Sequence, residues 1–321
     1  MNLTVKSLMS LEHVGAHHLE TIGAKTFVGV SIDSRTVKEG ELFFAIRGEN
    51  LDGHEFVEQA FASGAACAVV DAQADCKRWQ FKPLLVVNDT TRAFGKLANI
   101  YRKKFRIPVL AVAGSNGKTT TKEMIATVLS TRYSVLSTHG NLNNHLGVPQ
   151  TLFRLKPKHE IAVVEIGTNH FGEIMYLCDM LEPTHGVITN IGREHLQFFV
   201  DIDGVARAEG ELFSSLGESG GGFVNSDDEH VAAQAKLLKS KVTYGFSKSS
   251  NEINGKYLRV NENGCAEFAV TQKDGKKFVV QLSVPGKHAM MNGLAAAAIG
   301  LTFKVPPTEI QIGRASCRER V

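Results

Sequence analysis

The chain has 321 residues, 43% apolar and 21% charged, with a formal net charge of +3. That length suits two domains of roughly 100–200 residues each. The 30 glycines and 8 prolines exclude collagen-like and proline-rich disordered classes, and no run approaches the ~18 consecutive apolar residues of a membrane span.

The N-terminal stretch MNLTVKSLMSLEHVG lacks a basic segment followed by an apolar core, so no secretory signal is expected. Cys67, Cys76, Cys178, Cys265 and Cys317 are scattered, with no CxxC pair. That pattern speaks against a disulfide framework or zinc site and for a cytoplasmic location. The charge does not call for nucleic acid. Arg314, Arg318 and Arg320 against Glu319 place +2 in the last ten residues, which leaves +1 for residues 1–311. Those ten residues, IGRASCRERV, match the translation of a common sequencing adapter codon for codon. Residues 312–321 are therefore expected to be non-biological read-through, with the natural protein continuing past Gln311.

In chain order, residues 1–90 show strand-like runs TFVGVSI, ELFFAIRG, AACAVVDA and LLVVND. The helical HEFVEQAFASG lies between the second and third, with Phe56, Ala60 and Phe61 at helical spacing. This predicts a small N-terminal α/β domain. Residues 90–106 place Phe94, Leu97, Ala98 and Tyr101 on one face and predict a connecting helix. From Pro108 a strand, a glycine loop and a helix repeat. PVLAVAG leads into SNGK and the helix TTTKEMIATVLSTRY, with Met124, Ile125, Val128 and Leu129 facing inward. SVLST follows, then the polar NLNNHLG and a helix around PQTLFRL. IAVVEIG, HGVITNIG and GGFVNS are further buried-strand candidates. Short apolar runs alternating with helices predict a mostly parallel sheet covered on both faces. After Tyr244, KYLRVNENGCAEFAV and KKFVVQLSVPG read as an antiparallel hairpin region with NG as the turn. HAMMNGLAAAAIGLTF is a small-residue helix.

The most informative stretch is AVAGSNGKTTTKEM. An apolar strand ends at Gly114, and a helix starts at the Lys118–Thr119 step. Gly114 and Gly117 let backbone N–H groups of Ser115 and Asn116 turn toward phosphate oxygens, and the helix N-terminus adds positive potential. Lys118 can reach the β and γ phosphates, and the Thr119 hydroxyl, next to Thr120, can sit on Mg2+. The strict P-loop pattern wants glycine where Val112 stands. Glu165 ends IAVVE at the carboxyl edge of a strand, where open α/β sheets bind ligands and where a carboxylate suits a nucleotide-bound cation.

GSNGKTTTKEM resembles the ATP loop of the Mur ligases, the ATP-dependent amide-bond ligases of peptidoglycan synthesis. GNLNNHLGVPQTLFRL, VVEIGTNHFGEI, SIDSRTVKEGELFFAIRGENLDGHEF and THGVITNIGREHLQFF are similar to the same family, so that the resemblance runs from about residue 25 to 311. The NLNN and EIGTNH stretches resemble the branch of that family that joins D-Ala-D-Ala to UDP-MurNAc-tripeptide, and so imply that activity.

The resemblance implies residues 1–90 as a UDP-sugar-binding domain, 91–305 as a central P-loop-type ATP-binding domain, and 306–311 as the start of a third domain. It gives Glu165 the role of Mg2+ ligand and His195 a part in a second metal site. Asn190 is placed near the γ-phosphate and Asn292 near the adenine. Asn143 and Asn144 are placed near substrate and γ-phosphate. Ser31, Asp33, Ser34, Arg35, Arg47 and His54 match the stretch that holds the UDP end, where an arginine fork suits a diphosphate. One position departs from the family. The lysine that Mur ligases carbamylate is replaced here by Glu209, which supplies a carboxylate without CO2 but with a shorter reach.

The implied reaction has two steps. ATP phosphorylates the terminal carboxylate of UDP-MurNAc-tripeptide, and the amine of D-Ala-D-Ala then displaces phosphate from the acyl phosphate. Lys118 and Mg2+ neutralise charge, Lys118, Glu165, His195 and Glu209 form the catalytic set, and a monomer is expected. The alternatives are a sister Mur-type ligase that adds the third amino acid, a folylpolyglutamate synthetase, a regulatory NTP switch, and an NTP-binding module inactive through truncation.

Overall fold

The computed structural model describes residues 3–22, 26–193, 196–218 and 220–310, with Leu196, Lys287 and His288 described by backbone alone. His195 and the adapter-like segment 312–321 lie outside the described residues. The chain forms two compact units. One runs to Arg106 and includes Leu152–Lys156; the other takes Ile107–Thr151 and the chain from Pro157 onward.

In the first unit, β1 (Leu3–Thr4) precedes α1 (Val5–Met9), and β2 (Gly15–His17), β3 (Thr26–Phe27), β4 (Val30–Ser31) and β5 (Leu42–Phe44) follow. Then come α2 (Val57–Ala62), β6 (Cys67–Asp71), β7 (Leu84–Val87) and α3 (Thr90–Arg102). Strands β1 and β3 pair, and the other five form a sheet in the order β2-β7-β6-β5-β4. Strands β4 to β7 are parallel and β2 is antiparallel. Strands β6 and β7 are buried along their whole length, apolar throughout except for Asp71 at the end of β6, as strands covered on both faces require. The sequence places the domain boundary at residue 90, whereas the first unit keeps α3. The reason is packing: Phe94 meets Phe44 edge-on at 5.2 Å and lies 5.4 Å from Phe153.

The second unit is built on a nine-stranded sheet. Its elements are β8 (Val109–Ala113), α4 (Lys118–Ser130), β9 (Val135–Ser137), α5 (Gly147–Leu152), β10 (Ile161–Glu165), α6 (Glu173–Leu181) and β11 (His185–Ile188). There follow α7 (Leu196–Phe199), α8 (Ile202–Ser215), β12 (Gly221–Asn225), α9 (Glu229–Gln234), β13 (Ser240–Gly245), β14 (Ile253–Val260), β15 (Cys265–Gln272), β16 (Lys277–Pro285) and α10 (Lys287–Thr302). The order is β16-β15-β14-β13-β12-β11-β8-β10-β9. Neighbours from β9 to β14 are parallel, and the last three strands are antiparallel. The expected mostly parallel sheet with an antiparallel region is therefore present. The small residues Ala295–Ala298 of α10 are fully buried in the core with Met124, Ile125 and Val128 of α4.

The chain leaves β8 for the sheet's outer edge at β9 and returns through β10, then crosses to β11 on the other side of β8. This reversal opens a crevice at the carboxyl ends of β8, β10 and β11, the place where such sheets take ligands.

Candidate active site

The five residues of β8 are all buried, and the chain then turns at Gly114 with φ +115. A side chain there is excluded by space as well as by conformation, since a Cβ would lie 2.8 Å from Thr189 N. Gly117, at φ +78, begins α4 and sits against Asn292, whose Nδ2 would be 2.9 Å from a Cβ. Between these glycines the loop is stitched to the end of β11. Ser115 N–H donates to Asn190 O at 2.9 Å. Asn190 Oδ1 accepts from Asn116 N–H at 3.1 Å, and its Nδ2 donates to Asn116 O at 2.8 Å. Asn190 thus holds the loop backbone by both ends of its amide.

Lys118 Nζ folds back over the loop and donates to Gly114 O at 2.5 Å and Ser115 O at 3.1 Å. It also lines an open pocket of about 420 Å³, together with Asn143, Asn144, Thr168, Asn169 and Glu173. Beside it, Glu165 is 1% exposed at the end of β10. Its Oε1 accepts from Thr119 Oγ1 at 3.2 Å and from Asn143 Nδ2 at 2.9 Å. Its Oε2 is buried with no hydrogen-bond partner among the described residues. An orphaned carboxylate oxygen in the interior is costly.

Glu209, on α8, is also 1% exposed. Its Oε2 accepts the backbone N–H of Gly114 at 2.8 Å, beneath the loop. A second buried carboxylate thus abuts the phosphate loop, from α8 rather than from β10. His195, its expected neighbour, is outside the described residues. Among the described residues no three His, Cys, Asp or Glu side chains gather to hold a metal ion. The Thr119 hydroxyl and the Glu165 carboxylate still fit Mg2+. Both are hard oxygen donors, and this cation keeps several waters and takes phosphate oxygens for the rest.

The predicted loop residues play separate parts. Asn143 reaches Glu165, whereas Asn144 Oδ1 accepts from Leu146 N–H at 3.1 Å and Gly147 N–H at 2.9 Å and so fixes the start of α5. Thr120 follows Thr119 on the first turn of α4. Sequence reasoning missed Glu173. Burial raises its pKa, but the N–H groups of Asn169 and His170, the His170 ring and the Thr168 hydroxyl outweigh that and hold it below the ordinary carboxylate range. It also missed Lys122, whose signal was a lysine on the face of α4 that buries Thr121, Met124, Ile125 and Ala126.

In the first unit, the residues expected to hold UDP fall into two groups. Ser31 Oγ accepts from Asp33 N–H at 3.1 Å, and Ser34 Oγ donates to Gln59 Oε1 at 2.8 Å. Arg35 forks onto Asp33, with Nε and Nη2 at 2.9 and 2.7 Å from the two oxygens. That contact holds the Asp33 pKa at about 2. The other group is a charge cluster. Arg47 pairs with Asp52 at 2.6 Å and Asp71 at 3.0 Å. His54 Nδ1 donates to Asp52 Oδ1 at 2.6 Å, and its Nε2 accepts Asp71 N–H at 3.0 Å. Both ring nitrogens of His54 are therefore used inside the unit, while half-exposed Arg47 keeps one face open.

Comparison with known proteins bears on this geometry. The Mur ligase middle domain matches residues 112–300, and the Mur ligase family catalytic domain matches residues 26–120. The chain belongs to the Mur ligase family. It is 37% identical over 295 residues to UDP-N-acetylmuramoyl-tripeptide–D-alanyl-D-alanine ligase of Escherichia coli (strain K12), covering 91% of this chain and 64% of that one. The ligase of the same name from Bacillus subtilis (strain 168) is 37% identical, covering 89% and 61%. The chain thus spans less than two thirds of the length of these relatives. Among solved structures, MurF from Acinetobacter baumannii superposes with a TM-score of 0.88 at 31% identity, covering 99% of this chain and 69% of that one. MurF ligase from Thermotoga maritima in complex with ADP gives 0.76 at 25% identity, covering 88% and 65%.

Proposed function

We propose that this chain is the nucleotide- and UDP-sugar-binding part of a MurF-type ligase, which joins D-Ala-D-Ala to UDP-MurNAc-tripeptide at the expense of ATP. The observation that carries the reading is the convergence of Lys118, Thr119, Asn143 and Glu165 at one end of β8 and β10, in a chain whose similar relatives carry that ligase's name.

On this reading ATP lies along residues 114–120, with its γ-phosphate near Lys118 and Asn190 and its base toward Asn292. Thr119 and Glu165 would hold Mg2+, which screens charge between two anionic reactants when bound. Glu209 supplies a fixed negative charge beneath the loop, with His195 as its proposed companion. Lys118 draws the γ-phosphate toward the acceptor carboxylate, and Asn143 and Asn144 orient that carboxylate. The acyl phosphate so formed is attacked by the amine, and phosphate leaves; alignment and charge neutralisation are the protein's tasks. No protein nucleophile is required.

The first unit is proposed to hold the UDP end, with residues 1–90 as its core and Ser31, Asp33, Ser34, Arg35, Arg47 and His54 around it; the second unit is proposed to form the ATP-binding part. Arg35 is the residue best placed to exchange its carboxylate partner for a diphosphate, being exposed and already forked. A cytoplasmic monomer fits the family reading. Among the described residues no helix is long and apolar enough to cross a membrane.

The test is calorimetric titration of the chain with UDP-MurNAc-tripeptide. The reading expects binding that Arg35→Ala weakens. A chain that binds ATP but ignores this sugar nucleotide would instead be a nucleotide switch.

A further inference from the structure

Lys122 lies one helical turn beyond Lys118 and is fully buried, at 0% exposure. Its neighbours on α4 include Thr121, Met124, Ile125 and Val128, all buried. A leucine or methionine would fill the same space without the desolvation cost that a buried lysine carries. What the lysine adds is its donors. Nζ donates to Thr138 O at 2.8 Å and to Gly140 O at 3.4 Å, and lies 2.6 Å from Glu123 Oε1.

Those two carbonyls begin the loop that leaves β9 and carries Asn143. Thr138 has a second role. Its Oγ1 accepts the backbone N–H of Glu165 at 2.9 Å, and its own N–H donates to Val163 O at 3.1 Å. Asn143 closes the circuit, since its side chain reaches Glu165 and its carbonyl accepts Gly167 N–H at 2.9 Å. An unbroken path therefore runs from Lys122 through Thr138 to Glu165, and from Lys122 along the loop to Asn143.

We propose that Lys122 is a positioning residue for the nucleotide site. It clamps the loop after β9 to the phosphate-loop helix and so sets the Glu165 carboxylate against Thr119. The inference rests on the nucleotide reading above and adds to it a residue that touches neither nucleotide nor metal. A merely structural lysine would affect folding alone. A positioning lysine affects the cation-dependent part of nucleotide binding, because Glu165 and Thr119 serve that part and the loop backbone serves the other.

The experiment uses the 321-residue chain and two variants, Lys122→Met and Thr138→Val, with ATP titrated by calorimetry in Mg2+ and again in EDTA. Thermal unfolding is recorded for each, and Thr138→Val carries the test if Lys122→Met does not fold. The expected result is a loss of about tenfold or more in Mg2+ and little change in EDTA, in line with supporting residues around metal ligands. The double variant should lose no more than the worse single one, since both act through Glu165. Unchanged affinity in a folded variant, or equal losses with and without Mg2+, would overturn the proposal. Wild-type chain that binds no ATP at all would overturn the nucleotide reading, and this inference with it.

Discussion

The Glu209 carboxylate accepts a hydrogen bond from the backbone N–H of Gly114 at 2.8 Å, across 95 residues of chain. Helix α8 is thereby tied to the root of the phosphate loop, where its side chain is 1% exposed. Glu209→Ala should leave that buried N–H without its acceptor and cost about 1–3 kcal/mol. Glu209→Gln keeps an acceptor oxygen and should fold with nearly parental stability, while losing affinity for Mg-ATP through the missing charge. Urea midpoints and calorimetry on the two variants check this. A Glu209→Ala chain as stable as the parent would show that the bond carries nothing.

Thr119 offers a second prediction. Thr119→Val keeps the shape of the side chain and removes the hydroxyl 3.2 Å from Glu165. Binding of ATP with Mg2+ should weaken by about tenfold, near 1.4 kcal/mol, while binding in EDTA stays the same. An equal loss under both conditions would mean that Thr119 serves the loop rather than the cation.

A third concerns pH. His185 stands at the opposite end of β11 from the site, within 5.0 Å of the Phe303 ring and 6.2 Å of the Phe223 ring. Burial lowers its pKa below the ordinary 6.5. The unfolded chain therefore binds this proton first as the pH falls, so stability drops with pH below about 6.5, until the native pKa is reached. His185→Phe keeps a ring in the stack and should flatten that part of the profile. Urea midpoints at pH 5 and pH 8 decide it: the same decline in both chains would remove His185 from the account.

Val200, between α7 and α8, has φ +69 and is 82% exposed. A β-branched residue in the left-handed region is strained by about 1–3 kcal/mol. Asparagine tolerates that conformation, so Val200→Asn should raise stability by roughly 0.5–1 kcal/mol. No gain in the unfolding midpoint would locate the strain elsewhere.

Much of this arrangement is legible in the chain itself. VLAVAG followed by SNGKTT marks a buried strand, a glycine loop and a helix, and β8 and α4 are those elements. The position of Glu165 at a strand end follows from the apolar run before it. The alanines of α10 announce a buried helix. Contacts between distant segments are not legible in this way. The Glu209–Gly114 bond, the Lys122 clamp on Thr138 and the Asp52–His54–Asp71 cluster each join residues whose partners are set by sheet order, which local pattern does not encode. Helix α3 shows the same limit: its apolar face is readable, but Phe44 and Phe153 decide which unit it joins.

Residues 114–120 are proposed to bind ATP, with Lys118 on its phosphates. Titration of the chain with Mg-ATP by calorimetry, beside Lys118→Ala, decides whether they do. Loss of one charged hydrogen-bonding group should cost about 1.5–3 kcal/mol, roughly a tenfold to hundredfold fall in affinity, with the unfolding midpoint little changed because, among the described residues, Lys118 Nζ donates to the carbonyls of its own loop. Equal affinity in parent and variant would contradict the assignment of the loop, and with it the ligase reading.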